Sequence, residues 1–296
     1  MDFWFFIEVL IGGLLSGVMY SLVALGFVLI FKASGVFNFA QGAMVLFAAL
    51  TFVRLLEMDV PILITTAITM GVMILLAIFI ERVILRPLVN QDLIILFMAT
   101  IGLNYFIEGF AQLIWGSHVG VLDLGIDQYA AFEIGNALIN KFDVWAALIA
   151  GGLVIVLSLF FRYTVIGRAL RAVADDHQAA LSVGISLNQI WVIVWFVAGV
   201  VALVTGIFWG ARSDVSFALQ IIGFKALPVL IIGGFTSVPG AIVGGLMIGI
   251  GEKIFEIYWG PLLGSGVEGW FAYFIALGFL LFKPQGLFGD KIIERV

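Results

Sequence analysis

Residues 7–31 read IEVLIGGLLSGVMYSLVALGFVLIF, and this segment decides the fold class. It contains one charged residue, Glu8, and it is long enough to cross a bilayer as a helix, which takes about 20 apolar residues. A removable signal peptide begins with basic residues and ends at a small-residue cleavage site, and this segment has neither feature. We therefore predict a first membrane-spanning helix that is retained.

The composition of the whole chain is typical of an integral membrane protein. Its 296 residues are 63% hydrophobic and 11% charged, with a mean hydropathy of +1.22, whereas a soluble domain is about 45–50% apolar and about 25% charged. One soluble core cannot bury this excess, so a soluble enzyme is excluded. The net charge of -5 is thinly spread and predicts no nucleic-acid partner, and the lack of cysteine excludes thiolate metal sites.

Further apolar runs predict about eight membrane crossings. The predicted spans are 7–31, 35–53, 61–80, 93–115, 143–161, 189–210, the glycine-rich stretch 217–251, and 267–282. The longest connections are residues 116–142 and 162–188. We predict an all-α, polytopic integral membrane protein with broken or re-entrant glycine-rich segments, organised as one domain over residues 1–296.

The basic residues predict which side of the membrane each connection occupies. If the spans alternate in direction and residues 217–251 enter and leave the membrane on one side, most of the 14 lysines and arginines lie on the same side of the membrane. The residues on that side are Lys32, Arg82, Arg86, Arg162, Arg168, Arg171, Lys283, Lys291 and Arg295. Basic residues concentrate in cytoplasmic loops, so we expect residues 162–188 in the cytoplasm and residues 116–142 outside.

Two glycine-rich segments interrupt the apolar runs, at residues 35–42 (GVFNFAQG) and 233–240 (GGFTSVPG). Irregular backbone at membrane depth persists where protein or a water-filled cavity satisfies its polar groups, and paired broken segments in transporters mark binding or gating sites. Tight packing contacts or surface turns would give the same pattern. The presence of two such segments favours the interpretation as a transport site. The candidate path residues in these segments are Asn38, Gln41, Thr236 and Ser237.

The fourth predicted span carries a polar stripe. Thr100, Asn104, Glu108 and Gln112 recur every four residues, which places them on one helix face. A carboxylate in a span usually faces the bundle interior or an aqueous path, so Thr100, Asn104 and Glu108 are candidate path or gating residues. A hydrogen-bonded seam between helices, with Glu108 kept wet near the outer boundary, explains the stripe equally well. In a proton-coupled carrier, Glu108 would be the coupling group.

Close glycine pairs recur along the chain, for example at Gly13 and Gly17 and at Gly245 and Gly249. Such spacing lets two helix backbones approach each other, and it also arises by chance in a chain with 35 glycines. We interpret it as helix packing and not as chemistry.

No catalytic or metal-binding constellation is present in the sequence. The two histidines, His118 and His177, lie far apart in predicted loops, and no serine occupies a nucleophile elbow. A phosphate-binding G-x-x-x-x-G-K-[ST] loop is also missing, so the chain is not itself an ATPase. We expect no catalytic residues and no cofactor bound by this chain, and any ATP must be handled by another subunit.

Residues 167–185, GRALRAVADDHQAALSVGI, predict a short amphipathic helix in a cytoplasmic loop. Small residues mix with charges, and Gly184 is a suitable C-terminal stop. Such a helix can dock in the groove of a partner protein or rest on lipid head groups. The candidate coupling residues are Arg168, Arg171, Asp175, Asp176, Ala179, Ala180 and Gly184.

The same segment resembles the coupling loop of ABC-importer permeases, and the whole chain resembles the permease family of high-affinity branched-chain amino acid importers. The matching segments are Asn38–Gly42, Glu81-Arg82 with Arg86-Pro87-Leu88, Gly233–Gly245 and Lys283–Gly289. The resemblance implies a bacterial inner-membrane subunit that pairs with a second, different permease, two ATPases that carry ATP and Mg, and a periplasmic or lipid-anchored substrate-binding protein.

The resemblance implies that the chain forms half of a translocation path that works by alternating access. Members of the same family also serve urea, short amides and other amino acids, and no residue in the sequence settles that choice. An ion-coupled secondary carrier acting alone is the competing hypothesis.

Overall fold

The computed structural model describes residues 3–35, 37–88, 91–117, 119–127, 130–175, 177–264 and 266–289. The α-helices are α1 (Phe3–Ser34), α2 (Gln41–Glu57), α3 (Ile62–Phe79), α4 (Leu93–Trp115), α5 (Lys141–Tyr163), α6 (Val165–Asp175), α7 (His177–Ser182), α8 (Leu187–Ser213), α9 (Ile222–Lys225), α10 (Leu227–Gly233), α11 (Val238–Leu263) and α12 (Glu268–Phe282). A π-helix, Ile80–Leu85, and a 3-10 turn, Arg86–Leu88, extend α3, and a second 3-10 turn, Phe217–Ile221, precedes α9.

The prediction of an all-α, multi-pass membrane protein is confirmed. Six helices in the described part of the chain are long and apolar enough to span a membrane, namely α1, α3 with its extension to Leu88, α4, α5, α8 and α11. Two shorter apolar helical segments, Phe217–Gly233 and Glu268–Phe282, accompany them. The predicted span 35–53 is instead α2, which starts only at Gln41 because residues 37–40 stay irregular.

The stretch 217–251 consists of two helical parts joined by a tight turn. Its first part is the 3-10 turn with α9 and α10, and its second part is α11, which continues to Leu263, well beyond the predicted end. Within this stretch, α10 packs against α11, whereas the 3-10 turn packs against α2. That this stretch enters and leaves on one side of the membrane stays a prediction.

The connection at 116–142 contains a β-hairpin, β1 (Ala131–Ile134) paired antiparallel with β2 (Ala137–Asn140). Gly135 in its turn has φ of +66°, which glycine adopts without steric cost. The Glu8 carboxylate accepts a hydrogen bond of 3.0 Å from the Leu138 backbone N–H, so the hairpin is tied to the start of α1.

The chain forms two compact units. The first unit contains residues 1–28, 125–155 and 225–296, and the second contains residues 29–124 and 156–224. In the first unit, glycines allow α1 and α11 to touch: a Cβ on Gly13 would lie 2.7 Å from the Ile250 Cα, and one on Gly17 would lie 2.8 Å from the Leu246 Cα. The interpretation of these glycines as packing positions is confirmed.

The second unit is built around α2. Every residue of α2 from Gln41 to Arg54 is buried, and the helix packs against α3, α4, α8 and the turn Phe217–Ile221. On α8, a Cβ at Gly206 would lie 2.8 Å from the Val45 carbonyl oxygen, so only glycine allows this approach. A helix that is apolar on all sides and enclosed by other helices is the interior element of its unit.

Candidate transport site

The irregular segment before α2 carries the amides Asn38 and Gln41, and both side chains are fully buried. Asn38 Nδ2 donates to Gln41 Oε1 at 3.2 Å, and Gln41 Nε2 donates to the carbonyl of Ala198 on α8 at 3.3 Å. Asn38 Oδ1 accepts from the Ala40 backbone N–H at 3.0 Å. The two residues therefore form a hydrogen-bonded pair that ties the start of α2 to α8.

Thr100 on α4 reaches the same segment. Its hydroxyl is buried and lies 3.1 Å from the Phe37 carbonyl oxygen and 2.9 Å from that of Phe97. The rings of Phe37, Phe39 and Phe97 meet edge to face, with centroids 4.7 and 4.9 Å apart. Three predicted path residues, Asn38, Gln41 and Thr100, thus lie around one irregular segment of the second unit.

The rest of the polar stripe becomes progressively more exposed along α4. Asn104 and Glu108 are half-buried and Gln112 is exposed, while the buried face of the helix is formed by neighbours such as Leu103 and Ile107. The stripe lies beside the buried face and does not coincide with it. A partly accessible Glu108 fits both the path interpretation and the hydrogen-bonded seam.

Two polar residues that sequence reasoning missed also border α2. The backbone of Gln220 packs directly on Gly42, where no side chain would fit. The Gln220 Oε1 and Thr205 Oγ1 atoms are buried, and neither has a hydrogen-bond partner among the described residues. Each is a lone polar residue in an apolar run, so periodicity could not reveal it. An unsatisfied buried polar atom is costly, and a bound ligand or water would relieve that cost.

The second broken segment, in the first unit, closes by backbone contacts. The backbone N–H groups of Leu287 and Phe288 donate to the carbonyls of Ile232 and Gly233 at 2.7 and 3.1 Å. The motif at Lys283–Gly289 therefore packs on the turn after α10. Two segments that the sequence marked separately form one structural element.

Glycine geometry makes that element possible. Gly234 has φ of +105° and Gly286 has φ of +77°, and a Cβ on Gly286 would lie 2.6 Å from the Gly234 nitrogen. The predicted path residue Ser237 caps α11, because its Oγ accepts from the Gly240 backbone N–H at 3.1 Å. Thr236 is half-buried beside it.

A buried carboxylate that the sequence analysis did not single out lies on α11. Glu252 is 5% exposed and accepts a hydrogen bond from the Tyr20 side chain of α1. Nearby, Lys225 Nζ lies 3.7 Å from Glu268 Oε1, and the Glu268 backbone N–H donates to Glu256 at 2.9 Å. Glu252 follows directly after the predicted apolar stretch 217–251. The described residues contain no cluster of three or more acidic or histidine side chains that could hold a metal ion.

The predicted coupling segment consists of two helices, α6 and α7, in place of the single helix that the sequence predicted. Arg171 Nη1 donates to the Phe161 carbonyl at 2.6 Å and Nη2 donates to that of Arg162 at 3.4 Å. These carbonyls end α5 and have no partner within their own helix, so Arg171 caps α5 with a favourable charge. Arg168 and Asp175 are exposed, and the candidate Asp176 lies outside the described residues.

The turn between α5 and α6 is equally well defined. The Thr164 hydroxyl donates to the Phe160 carbonyl at 2.6 Å and accepts from the Gly167 backbone N–H at 3.2 Å. Gly167 packs directly on the Phe161 carbonyl, so a side chain there would clash. This anchoring fixes where α6 leaves the end of α5.

The two candidate alanines of α7 have different surroundings. Ala179 is exposed, whereas Ala180 is 1% exposed and belongs to the face that packs against α6 and α8. Leu181 and Val183 are 53% and 74% exposed. Gly184 has φ of +85°, as expected for the residue that ends the helix.

Comparison with known proteins gives the family. A family model described as branched-chain amino acid transport system, permease component, matches residues 9–282. The high-affinity branched-chain amino acid transport system permease protein LivH of Escherichia coli (strain K12) is 27% identical over 309 residues, covering 100% of this chain and 99% of that protein.

Two further relatives agree. The corresponding protein BraD of Pseudomonas aeruginosa is 26% identical, with 100% of this chain and 99% of that protein covered. A probable branched-chain amino acid transport permease protein LivH of Methanocaldococcus jannaschii is 27% identical, with 95% and 92% covered. No solved structure matches significantly. The chain therefore belongs to the family of permease components of branched-chain amino acid transport systems.

Proposed function

We propose that this chain is the permease subunit of an ATP-binding-cassette importer for branched-chain amino acids in a bacterial inner membrane. It forms half of a translocation path with a second permease, which we infer to be a different chain. A periplasmic or lipid-anchored binding protein delivers the substrate. Two ATPase subunits bind ATP and Mg, and this chain contributes no catalytic residue.

The observation that carries the proposal is the architecture of α6 and α7. Arg171 and Gly167 anchor the start of the pair to the end of α5, while Ala179, Leu181 and Val183 remain exposed. A short helix with an exposed small and apolar face suits a groove in a partner protein. Because α8 follows directly, movement of α7 is transmitted to a membrane-spanning helix. ATP-driven closure of the partner can thereby bias the balance between inward and outward states.

The polar groups around α2 support a translocation path for a small polar substrate. Asn38 and Gln41 lie at the irregular start of α2, the Thr100 hydroxyl of α4 reaches the same place, and Gln220 and Thr205 offer unsatisfied oxygens. These groups are uncharged, which suits passage better than tight binding of an ion. The names of the relatives favour branched-chain amino acids over urea, short amides or other amino acids. Competition of each compound class for uptake by the assembled importer tests this choice.

The coupling role is tested by Ala179→Trp. A bulky ring at this exposed position overpacks a docking groove, which typically costs about 1–3 kcal/mol and weakens assembly about 5- to 150-fold. We expect normal membrane insertion together with loss of ATPase co-purification and ATP-driven uptake. Ser117→Trp places the same ring at an exposed position in the connection 116–142 and serves as the control.

A helix that only rests on lipid would tolerate the tryptophan, since tryptophan is favoured at membrane interfaces. Intact ATPase association in Ala179→Trp therefore contradicts the docking role. Ala180→Trp is the second comparison: because Ala180 is buried in its own chain, we expect this variant to lower permease stability itself.

The sidedness is tested by single cysteines, since the natural chain has none. Cysteines at Ser182 and Ser117 both replace exposed side chains, and we expect an impermeant thiol reagent to label them from opposite faces of the membrane. Labelling of both from one face contradicts the topology, and labelling at position 182 from outside removes α7 from the cytoplasm.

A further inference from the structure

A cavity of about 450 Å³ lies at the end of α3 in the second unit. Its polar lining consists of Glu81, Arg82, Arg86, Asn188 and Gln189, and aliphatic side chains of α3 and α8 form the remaining wall. The volume falls in the range of ordinary small-molecule sites, which span about 300–1,000 Å³. The motif at 81–88 contributes most of its charge, although the proposed transport function gives that motif no role.

Glu81 is the side chain that needs a partner. The residue is only 2% exposed, and its Oε1 atom is buried without a hydrogen-bond partner among the described residues. Burying a carboxylate without compensation is costly, by several kcal/mol or more. A positively charged hydrogen-bond donor entering the cavity would satisfy it.

The backbone at this point is also unusual. Residues Ile80–Leu85 form a π-helix, and such turns are rare and concentrate at functional sites. No glycine occurs in this segment, and Pro87 lies beyond it. The π-helix packs on α8, and it leaves Glu81 buried and the adjacent Arg82 exposed. One short segment thereby offers a buried anion and exposed cations to the same cavity.

The pattern of charges defines the ligand. Glu81 suits a primary ammonium group, and the guanidinium groups of Arg82 and Arg86 suit a phosphate or carboxylate. A molecule that carries both charges a few ångströms apart satisfies both ends. Free amino acids and aminophospholipid head groups share this chemistry.

The surroundings favour the lipid. The cavity borders a membrane-spanning helix, and its aliphatic wall includes Ile78. Val83, which follows Arg82, is 57% exposed, as expected for a side chain that faces acyl chains. Basic pockets between helices at the cytoplasmic side of membranes commonly hold lipid head groups. We propose that this cavity binds an aminophospholipid head group, with its ammonium on Glu81 and its phosphate on Arg82 and Arg86.

Such a lipid would connect two elements of the second unit. Asn188 and Gln189 lie in the first turn of α8, immediately after the segment that contains α6 and α7, whereas Glu81 belongs to the extension of α3. The head group would therefore bridge the end of one span and the start of another.

Native mass spectrometry of the purified full-length chain tests the proposal. The probes are phosphatidylethanolamine, phosphatidylglycerol and free leucine, each added to delipidated protein in detergent. We expect the wild type to retain phosphatidylethanolamine in preference to phosphatidylglycerol. Glu81→Gln removes the partner of the ammonium group, and we expect it to lower phosphatidylethanolamine retention about tenfold while leaving phosphatidylglycerol retention unchanged.

Two further variants complete the design. Arg82→Ala, at an exposed position, should weaken retention of both phospholipids because each carries a phosphate. Asp92→Asn, an exposed acid outside the cavity lining, is the matched control and should change neither. If Glu81→Gln fails to fold, Arg82→Ala still decides whether the cavity holds the phosphate.

Three outcomes overturn the proposal. Equal retention of the two lipids in the wild type and in Glu81→Gln excludes ammonium recognition. Unchanged lipid retention in Arg82→Ala excludes the phosphate contact. Retention of free leucine that depends on Glu81 and Arg82, without lipid retention, assigns the cavity to a soluble amino acid instead.

Discussion

The two broken segments look alike in sequence, but the protein stabilises them in different ways. Residues 37–42 rely on side chains: Asn38 and Gln41 hydrogen-bond each other and the backbone, and both are fully buried. Residues 233–240 rely on the backbone, because the carbonyls of Ile232 and Gly233 at their start accept hydrogen bonds from the backbone N–H groups of Leu287 and Phe288. A glycine-rich interruption in an apolar run therefore indicates irregular backbone without indicating which groups satisfy it.

The largest effect is expected where the backbone contact leaves no space. Gly286→Ala forces a side chain into a left-handed conformation, which costs about 1–2 kcal/mol, and adds overpacking of about 1–3 kcal/mol. We expect the free energy of unfolding to fall by about 2–5 kcal/mol in a denaturation series in detergent. Gly278→Ala, on α12 with open space around it, is the control and should be neutral or slightly stabilising.

A stable Gly286→Ala variant would mean that the turn after α10 does not depend on the segment Lys283–Gly289. Backbone contacts with that segment would then not be what stabilises residues 233–240. Truncation before Lys283 would distinguish the two cases, since a dependent turn should become accessible to proteolysis when the segment is removed.

The next effect concerns the side-chain arrangement at α2. Gln41→Leu keeps the volume but leaves the Ala198 carbonyl and the Asn38 amide short of a partner. Hydrogen bonds in membrane proteins contribute modestly, so we expect a loss of about 1–2 kcal/mol in the free energy of unfolding. Gln112→Leu, at the exposed end of the polar stripe, is the matched control and should change stability little.

Uptake measurements on the Gln41→Leu variant distinguish a role in substrate contact from a role in positioning α2. If Gln41→Leu retains full stability but abolishes uptake, Gln41 contacts the substrate and its role in holding α2 is minor. If stability and uptake fall together, the amide acts by positioning α2.

The elements that could be predicted from the sequence are those set by continuous or periodic patterns. Long apolar runs located α1, α4, α5 and α8, and the spacing of Gly13 and Gly17 located a close helix contact. The broken segments were also evident, because amides and glycines interrupt apolar runs there.

What could not be predicted depends on contacts between distant residues. The π-helix at Ile80–Leu85 has no local breaker, and the short strands of the hairpin at 131–140 lack a run long enough to indicate them. Glu252 is buried and hydrogen-bonds to Tyr20 on α1, far away along the chain. Likewise, packing of α7 on α6 and α8 separates the buried Ala180 from the exposed Ala179.

A smaller effect is expected at the carboxylates. Glu252→Gln preserves an acceptor for Tyr20, and Glu108→Gln preserves the shape of a half-buried side chain. For an ATP-driven importer we therefore expect both variants to retain uptake within about twofold, since an altered hydrogen bond of this kind costs little. An ion-coupled carrier would lose uphill uptake but keep exchange in one of them, and that result would replace the importer hypothesis.

The smallest effect on the free energy of unfolding is expected at the cap of α11, where the backbone-stabilised segment does use one side chain. Ser237→Ala removes the hydroxyl that accepts from the Gly240 N–H at 3.1 Å, and loss of such a cap costs about 1 kcal/mol. Ser186→Ala provides the matched comparison, because Ser186 caps α8 through a longer contact of 3.5 Å to the Gln189 N–H and should lose less. The unfolding midpoints of the two variants, measured side by side, show which of them loses more stability. A Ser237→Ala variant that keeps its stability yet loses uptake would show that the hydroxyl serves the substrate, and the second broken segment would then resemble the first more closely than its backbone contacts indicate.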